Sequence, residues 1–433
     1  MTPEIKHRIG QIRRGEMPEG YNRVRDSIIP SDWKQYCLGE LGKNKNGLNF
    51  HREDKGIKIR ILGVGDFGNL SVLRDLNALS EISMRFMPDD ELLLKNGDIV
   101  FVRSNGSKEL VGRNLLVYPQ NEKVSFSGFC IRFRLSSDKI TTAEYINLLL
   151  DNGVLKQKLQ SENQGSNISN LNQSIIDNLQ ISIPCKGEQQ KIAAILTTQD
   201  RVIELKEKRL AEKQRQKKYL MQQLLTGEKH LPRFSGEWKA NRLRNITTRH
   251  TKRNTIGNTN VLTISAQYGL INQAEFFNKA VASNDKSNYF LLEKGDFAYN
   301  KSYSNGYPLG AIKRLTRYEV GIVSPLYICF RIKEGSVSGE YLEQYFEAGL
   351  MNHEIQAFAQ EGARNHGLLN IAVDDFFNSK ILLPSPEEQA AIAEVLSAAD
   401  HEIDLLRQDI EQEKQKKKAL MQLLLTGIVR VKT

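Results

Sequence analysis

The sequence predicts an α+β architecture with an internal pseudo-twofold repeat. Two tandem, loop-rich mixed α/β domains are separated by two long helices that pair as an antiparallel coiled coil. Three observations predict it. Two sequence blocks recur at an offset of 200 residues, two stretches free of Pro and Gly have helical composition, and the segments between them hold short β-rich runs broken by Gly, Asn and Ser. A chain of 433 residues also exceeds one ordinary core, so two to three domains are expected.

The duplication is read directly. Glu188-Gln189-Gln190-Lys191-Ile192-Ala193-Ala194-Ile195-Leu196 returns as Glu388-Gln389-Ala390-Ala391-Ile392-Ala393-Glu394-Val395-Leu396. Leu220-Met221-Gln222-Gln223-Leu224-Leu225-Thr226-Gly227 returns as Leu420-Met421-Gln422-Leu423-Leu424-Leu425-Thr426-Gly427. Fainter matches lie upstream: Trp33-Lys34 with Trp238-Lys239, Gly97-Asp98 with Gly295-Asp296, Ser127 to Arg134 with Ser324 to Arg331, and Leu171-Asn172 with Leu369-Asn370. A repeat of such long period implies two copies of one structural unit. The expected divisions are an extension over 1–20, a domain over 21–185, a helix over 186–230, a second domain over 235–385 and a second helix over 386–433. The sequence assigns the extension no role.

Residues 188–225 and 388–425 are rich in Glu, Gln, Lys, Ala and Leu, which favour helix. Pro184 and Pro386 lie before the starts, and Gly227 and Gly427 mark the stops. One heptad seam runs through Leu196, Ile203, Leu210, Lys217 and Leu224, and through Leu396, Ile403, Ile410, Lys417 and Leu424. The companion seam is mixed, with Ile192, Gln199, Lys206, Lys213 and Leu220 against Ile392, Ala399, Leu406, Glu413 and Leu420. That pattern predicts a short coiled-coil pair whose register Lys217 and Lys417 fix. Net charges of +5 over 186–230 and −2 over 386–433 favour pairing of one helix with the other. The alternative is two amphipathic helices, each packed on its own domain.

Within the blocks, Ile57–Leu62, 98–103 and 129–135 have strand character, and 142–159 and 339–360 have helical character. Charged residues make up 26% of the chain and the net charge is +10, which favours a polyanionic partner, nucleic acid first. No apolar run is long enough for a membrane span, the first residues lack a secretory h-region, and four scattered cysteines suit a reducing cytoplasm.

Catalytic signatures are missing. There is no Pro-Pro-aromatic loop for methylating an exocyclic amine, no GxxxxGK[ST] for a nucleotide, no carboxylate–Lys nuclease cluster and no metal-ligand spacing among the seven His. No cofactor is expected. Gly63-Val64-Gly65-Asp66-Phe67-Gly68 matches a dinucleotide fingerprint literally, but no helical period follows it, so a turn is expected.

The blocks offer polar, basic loops instead. Arg103-Ser104-Asn105-Gly106-Ser107-Lys108 and its counterpart from Lys301, Ser302, Tyr303 and Asn305 to Tyr307 each follow a strand. A second loop precedes the last strand of each block, with Asn167 and Asn170 in the first and Arg364 and Asn365 in the second. Arg and Lys bond phosphates or guanine edges, Asn grips adenine, and the N–H groups of a Gly-Ser loop take phosphate oxygens.

The order of variable block, EQxxIAxxL helix ending in LMQxLLTG, second block and second helix resembles the specificity subunit of Type I restriction–modification systems. The Gly-Asp and Trp-Lys motifs are similar to those of that family's target recognition domains. The resemblance implies a non-catalytic subunit whose two target recognition domains each read half of a split double-stranded DNA site, with the helix pair setting the spacer. It implies two modification (methyltransferase) subunits docked on the helices and restriction (translocase/nuclease) subunits outside them, giving a complex with adenine methyltransferase and ATP-dependent endonuclease activity. The readings set against it are a coiled-coil assembly protein without DNA contact and a stand-alone DNA-modifying enzyme.

Overall fold

The computed structural model describes residues 3–431 apart from 25–26, 51–54, 69, 108, 153–154, 157–158, 160–169, 266–267, 278–284, 305 and 362–368. It divides into two compact units, Met1–Leu205 with Ile410–Thr433, and Lys206–Asp409. Each unit therefore contains part of each long helix, Lys186–Leu225 and Pro386–Leu424. Neither helix is long and apolar enough in composition to cross a membrane.

In the first unit the main sheet has five strands in the order Gly42–Asn46, Cys130–Leu135, Asp98–Val102, Asn114–Val117 and Val72–Leu73. A three-stranded sheet centred on Ile57–Leu62 and a ribbon of Lys34–Cys37 with Gln180–Ile183 complete its β-structure around the domain core. The second unit repeats the central pattern with Thr247–Arg249, Ile328–Ile332, Phe297–Asn300 and Ala311–Arg314, and repeats the ribbon with Lys239–Arg242 and Lys380–Leu383. Strands such as Asp98–Val102, buried at every residue, are held between layers, which is why they read as continuous apolar runs.

The repeated Gly-Asp motif has a structural cause. Asp98 is fully buried; its carboxylate accepts the Lys95 N–H (2.7 Å) and both Nε (2.7 Å) and Nη2 (2.7 Å) of Arg134. Asp296 likewise accepts the Glu293 N–H (2.8 Å) and Nε (2.6 Å) and Nη2 (2.9 Å) of Arg331. One aspartate thus closes the turn before its strand and ties that strand to its neighbour by a bidentate pair.

The long helices enter the domain cores by their ends. In the first unit Ile192 and Leu196 pack with Leu424 and Leu425; in the second, Met221, Leu224 and Leu225 pack with Ile392 and Leu396. The start of one helix beside the end of the other makes the pairing antiparallel within each unit. The charged seam positions are paired too: Lys417 Nζ meets Asp200 Oδ1 at 2.5 Å in the first unit, and Lys217 Nζ meets Asp400 Oδ1 at 2.6 Å in the second. These are the same pair with the roles of the two helices exchanged. Lys206–Asp409 (2.8 Å) and Lys213–Glu402 (2.9 Å) add cross-helix pairs, cation on the first helix and anion on the second, as their net charges favour.

The shared EQ dipeptide docks each helix start. Gln189 Nε2 donates to the carbonyls of Pro184 (2.9 Å) and Ile140 (2.9 Å), and Gln389 Nε2 to that of Pro384 (3.0 Å). Buried Glu188 holds Arg430 through Nε (2.8 Å) and Nη2 (2.7 Å), while Glu388 lies 2.8 Å from His230 Nδ1. The helix stops are equally specific. Gly427, at φ +73°, lies so close to Pro30 and Trp33 that a Cβ there would meet Pro30 at 2.5 Å. Residues 1–20 join this corner: the helix Pro3–Arg13 sends Arg8 Nη1 to the Ile428 carbonyl (3.1 Å), and the Tyr21 hydroxyl donates to the Gly427 carbonyl (2.7 Å).

Some local expectations are corrected. The helical stretch at 142–159 opens with the helix Ala143–Leu150, capped at its start by Thr142 and closed at Asp151, and Leu155, Lys156 and Leu159 are helical beyond it. The stretch at 339–360 splits into Gly339–Glu347 and Asn352–Phe358, because Gly349 at φ +72° takes the left-handed conformation that ends a helix. The strand over 129–135 begins at Cys130, leaving Phe129 in the turn before it. The long helices begin at Lys186 and at Pro386 itself, the first helical position, where proline loses no hydrogen bond. The glycine-rich segment at 63–68 is a 3-10 turn over Val64–Phe67, with Asp66 Oδ2 accepting the Gly63 N–H (2.7 Å).

Candidate nucleic-acid interface

In each unit the two central strands of the main sheet end together, and the polar loops start there. In the first unit Val102 pairs with Cys130, so Arg103 stands opposite Phe129; the Arg103 N–H donates to the Phe129 carbonyl at 2.8 Å. The second loop joins from the other side: the Leu171 N–H donates to the Arg103 carbonyl at 2.9 Å, and Ser104 bridges antiparallel to exposed Asn170. Asn105 Oδ1 accepts the Ser107 N–H at 2.8 Å and so shapes the turn. The Arg103 side chain leans on the same corner, with Nη1 3.5 Å from the Gly128 carbonyl.

The second unit is built alike. The Leu369 N–H donates to the Lys301 carbonyl at 3.0 Å, and the Ser302 N–H donates to Asn300 Oδ1 at 3.1 Å. Ser304 and Tyr307 exchange backbone hydrogen bonds, and Tyr303, just before that turn, is 63% exposed. Tyr307 anchors the loop. Its hydroxyl bonds Glu347, the Lys313 ammonium reaches that hydroxyl at 2.9 Å, and Lys313 also lies 4.6 Å from the ring centroid. Burial, with Glu347 beside it, pushes the Tyr307 hydroxyl well above the usual tyrosine range, so it stays protonated and keeps donating.

The structure therefore brings Arg103, Ser104, Asn105 and Asn170 to one corner, and carries Lys301, Ser302 and Tyr303 on the equivalent corner. Lys108, Asn167, Asn305, Arg364 and Asn365 lie outside the described residues. Sequence reading missed Phe129, assigned to a strand, and Leu326, its counterpart. It also missed the Lys313–Glu347 anchor, whose partners are far apart in the chain. Only the repeat carried a signal, since Phe129 and Leu326 occupy the same place in the matched segments Ser127 to Arg134 and Ser324 to Arg331. Among the described residues no group of three or more His, Cys, Asp and Glu side chains is placed to hold a metal ion.

A duplicated α+β domain with loop-borne cations at each strand end, mounted on an antiparallel helix pair, defines a binding scaffold. Residues 30–214 match the family model of the Type I restriction modification DNA specificity domain. The chain is 23% identical over 441 residues to the Type I restriction enzyme MjaVIII specificity subunit of Methanocaldococcus jannaschii, covering 96% of this chain and 97% of that one. Its fold is similar to the crystallised Type I restriction–modification S subunit from M. genitalium (TM-score 0.53, 12% identity, 94% of this chain and 97% of that one). It is also similar to a chain from a structure of Type I system assembly and conformational transition (TM-score 0.55, 15% identity, 93% and 99%). Over nearly its whole length the chain is thus similar to specificity subunits of Type I restriction–modification systems, and part of it matches their DNA specificity domain.

Proposed function

We propose that the domains at 21–185 and 235–385 are target recognition domains that each read one half of a split double-stranded DNA site. The first uses Arg103, Ser104, Asn105, Lys108, Asn167 and Asn170. The second uses Lys301, Ser302, Tyr303, Asn305, Arg364 and Asn365. One observation supports the reading: in both units a leucine just after the second loop donates its N–H to the carbonyl of the strand-end cation, Leu171 to Arg103 and Leu369 to Lys301. Two stretches far apart in sequence thus meet at one strand end, twice, which would set both polar loops on one edge. Such an edge supplies cations for phosphates and amides for base edges.

The helix pair sets the spacer between the half-sites, and its outward faces dock two modification subunits, with restriction subunits joining outside them. Adenine methylation and ATP-dependent cleavage belong to those partners. The reading is tested on the complex with modification subunits by gel shifts across a salt series, using Arg103→Ala and Lys301→Ala. Each substitution weakens binding by about 1–3 kcal/mol if it removes a base contact. If it removes a phosphate contact, binding falls evenly across sequences and the salt slope decreases by about one. Unchanged binding for both variants refutes the assignment.

A further inference from the structure

Phe129 and Leu326 are among the most exposed large apolar side chains described, 62% and 67% exposed. A single exposed hydrophobe is ordinary in any protein. These two share a position and a local geometry that chance does not supply. Each sits in a turn opened by serine. Ser127 accepts the Cys130 N–H on its carbonyl (2.8 Å) and the Phe129 N–H on its Oγ (3.3 Å). Ser324 accepts the Tyr327 N–H on its carbonyl (3.1 Å) and the Leu326 N–H on its Oγ (3.3 Å). The serine therefore fixes the residue two places on.

The ladder fixes what each faces. Val102 pairs with Cys130, so one step further Arg103 is opposite Phe129. Tyr299 pairs with Ile328, and Lys301 and Leu326 each lie two residues beyond that last pair. In two domains that have otherwise diverged, the same ladder end is followed by a cation beyond one strand and an exposed apolar side chain before the other.

We propose that Phe129 and Leu326 are wedge residues, which enter the duplex at a base step beside the groups contacted by Arg103 and Lys301 and partly unstack it. The proposal rests on the reading of those cations as DNA contacts. An apolar side chain at a narrow turn, flanked by a basic residue, suits a base step lined by phosphates. A partner protein would need a broader apolar patch. Wedging also makes local deformability of the step part of what each domain recognises.

The test uses the complex with modification subunits and a duplex carrying the site mapped from modified bases of the host, with 2-aminopurine placed singly along each half-site. The wild-type complex raises the fluorescence at one step in each half-site. Phe129→Ala abolishes the rise in the first half-site only, and Leu326→Ala in the second only. Each weakens binding about 5- to 50-fold with the salt slope unchanged, because phosphate contacts remain. Phe129→Leu restores the signal in part, which a folding defect would not allow. If Arg103→Ala and Lys301→Ala weaken binding while the two apolar variants keep both affinity and fluorescence, the wedge fails and the interface stands. If the cation variants change nothing, the interface itself fails. Loss of subunit assembly with an unaltered fluorescence rise overturns the wedge in favour of a protein contact.

Discussion

Asp98→Ala is predicted to cost more than Asp296→Ala, although the two aspartates occupy the same place in the repeat. Among the described residues Arg134 is hydrogen-bonded to one carboxylate, that of Asp98, and also donates to the Leu93 carbonyl (2.8 Å). Its removal leaves a half-buried guanidinium without its bonded carboxylate, with Asp90 and Glu91 the anions still near it, and frees the Lys95 N–H that closes the turn. Breaking a buried pair by removing one partner costs about 3–5 kcal/mol. Arg331, by contrast, also holds Glu293 at 2.9 Å and is 44% exposed, so after Asp296→Ala it keeps an anion and gains solvent. About 1–3 kcal/mol is expected there. Against a domain stability of about 5–15 kcal/mol, the first variant is severely weakened and the second is not. Urea unfolding of the isolated chain, followed by tryptophan fluorescence, measures both, since Trp33 lies in the first unit and Trp238 in the second. Equal losses, or a smaller loss at Asp98, refute the reasoning.

Three further outcomes follow from the packing. Burial pushes the Asp151 carboxyl up to about 6, with Lys417, Lys156 and Asn114 opposing and Asp200 reinforcing the rise. A carboxyl raised on folding stabilises the fold fully below its unfolded pKa near 4, and that stability is lost as pH rises through 6. Asp151→Asn therefore unfolds like wild type at pH 4 and is about 1–3 kcal/mol more stable at pH 8. In the seam, Lys417→Asp sets a carboxylate against Asp200, and adding Asp200→Lys restores the pair; a double-mutant cycle by urea unfolding should give a coupling of about 1–3 kcal/mol. Inserting one heptad into both long helices keeps the seam in phase and adds about 10 Å of helix, about three base pairs, so spacer-series gel shifts should show the preferred spacer lengthening by about three with the bases read unchanged.

The long helices, their stops and their antiparallel pairing were legible because heptad spacing, proline and glycine act locally, and because the repeat doubled each signal. The strands at 57–62 and 98–102 were legible for a similar reason, as short apolar runs bounded by turn residues. What was hidden is what folding brings together over long range. Nothing in Glu188 announces Arg430 as its partner, and nothing in residues 3–21 shows that Arg8 and Tyr21 hold the carbonyls of Ile428 and Gly427 respectively. The polar loops could be named one at a time, but the bonds of Leu171 to Arg103 and Leu369 to Lys301 depend on strand order, which periodicity does not encode. Phe129 was misassigned because an aromatic next to CIRFRL extends a strand pattern; only the Ser127 turn turns it outward.

The central claim, that each domain reads its own half of a split site, is tested most directly by mapping methylated adenines in a host carrying the complete system with wild-type chain, Arg103→Ala or Lys301→Ala. The account predicts one bipartite motif for wild type, relaxation of one half with Arg103→Ala, and relaxation of the other half alone with Lys301→Ala. A motif left intact by both variants, or both halves degraded by either one while the chain stays folded and assembled, contradicts it.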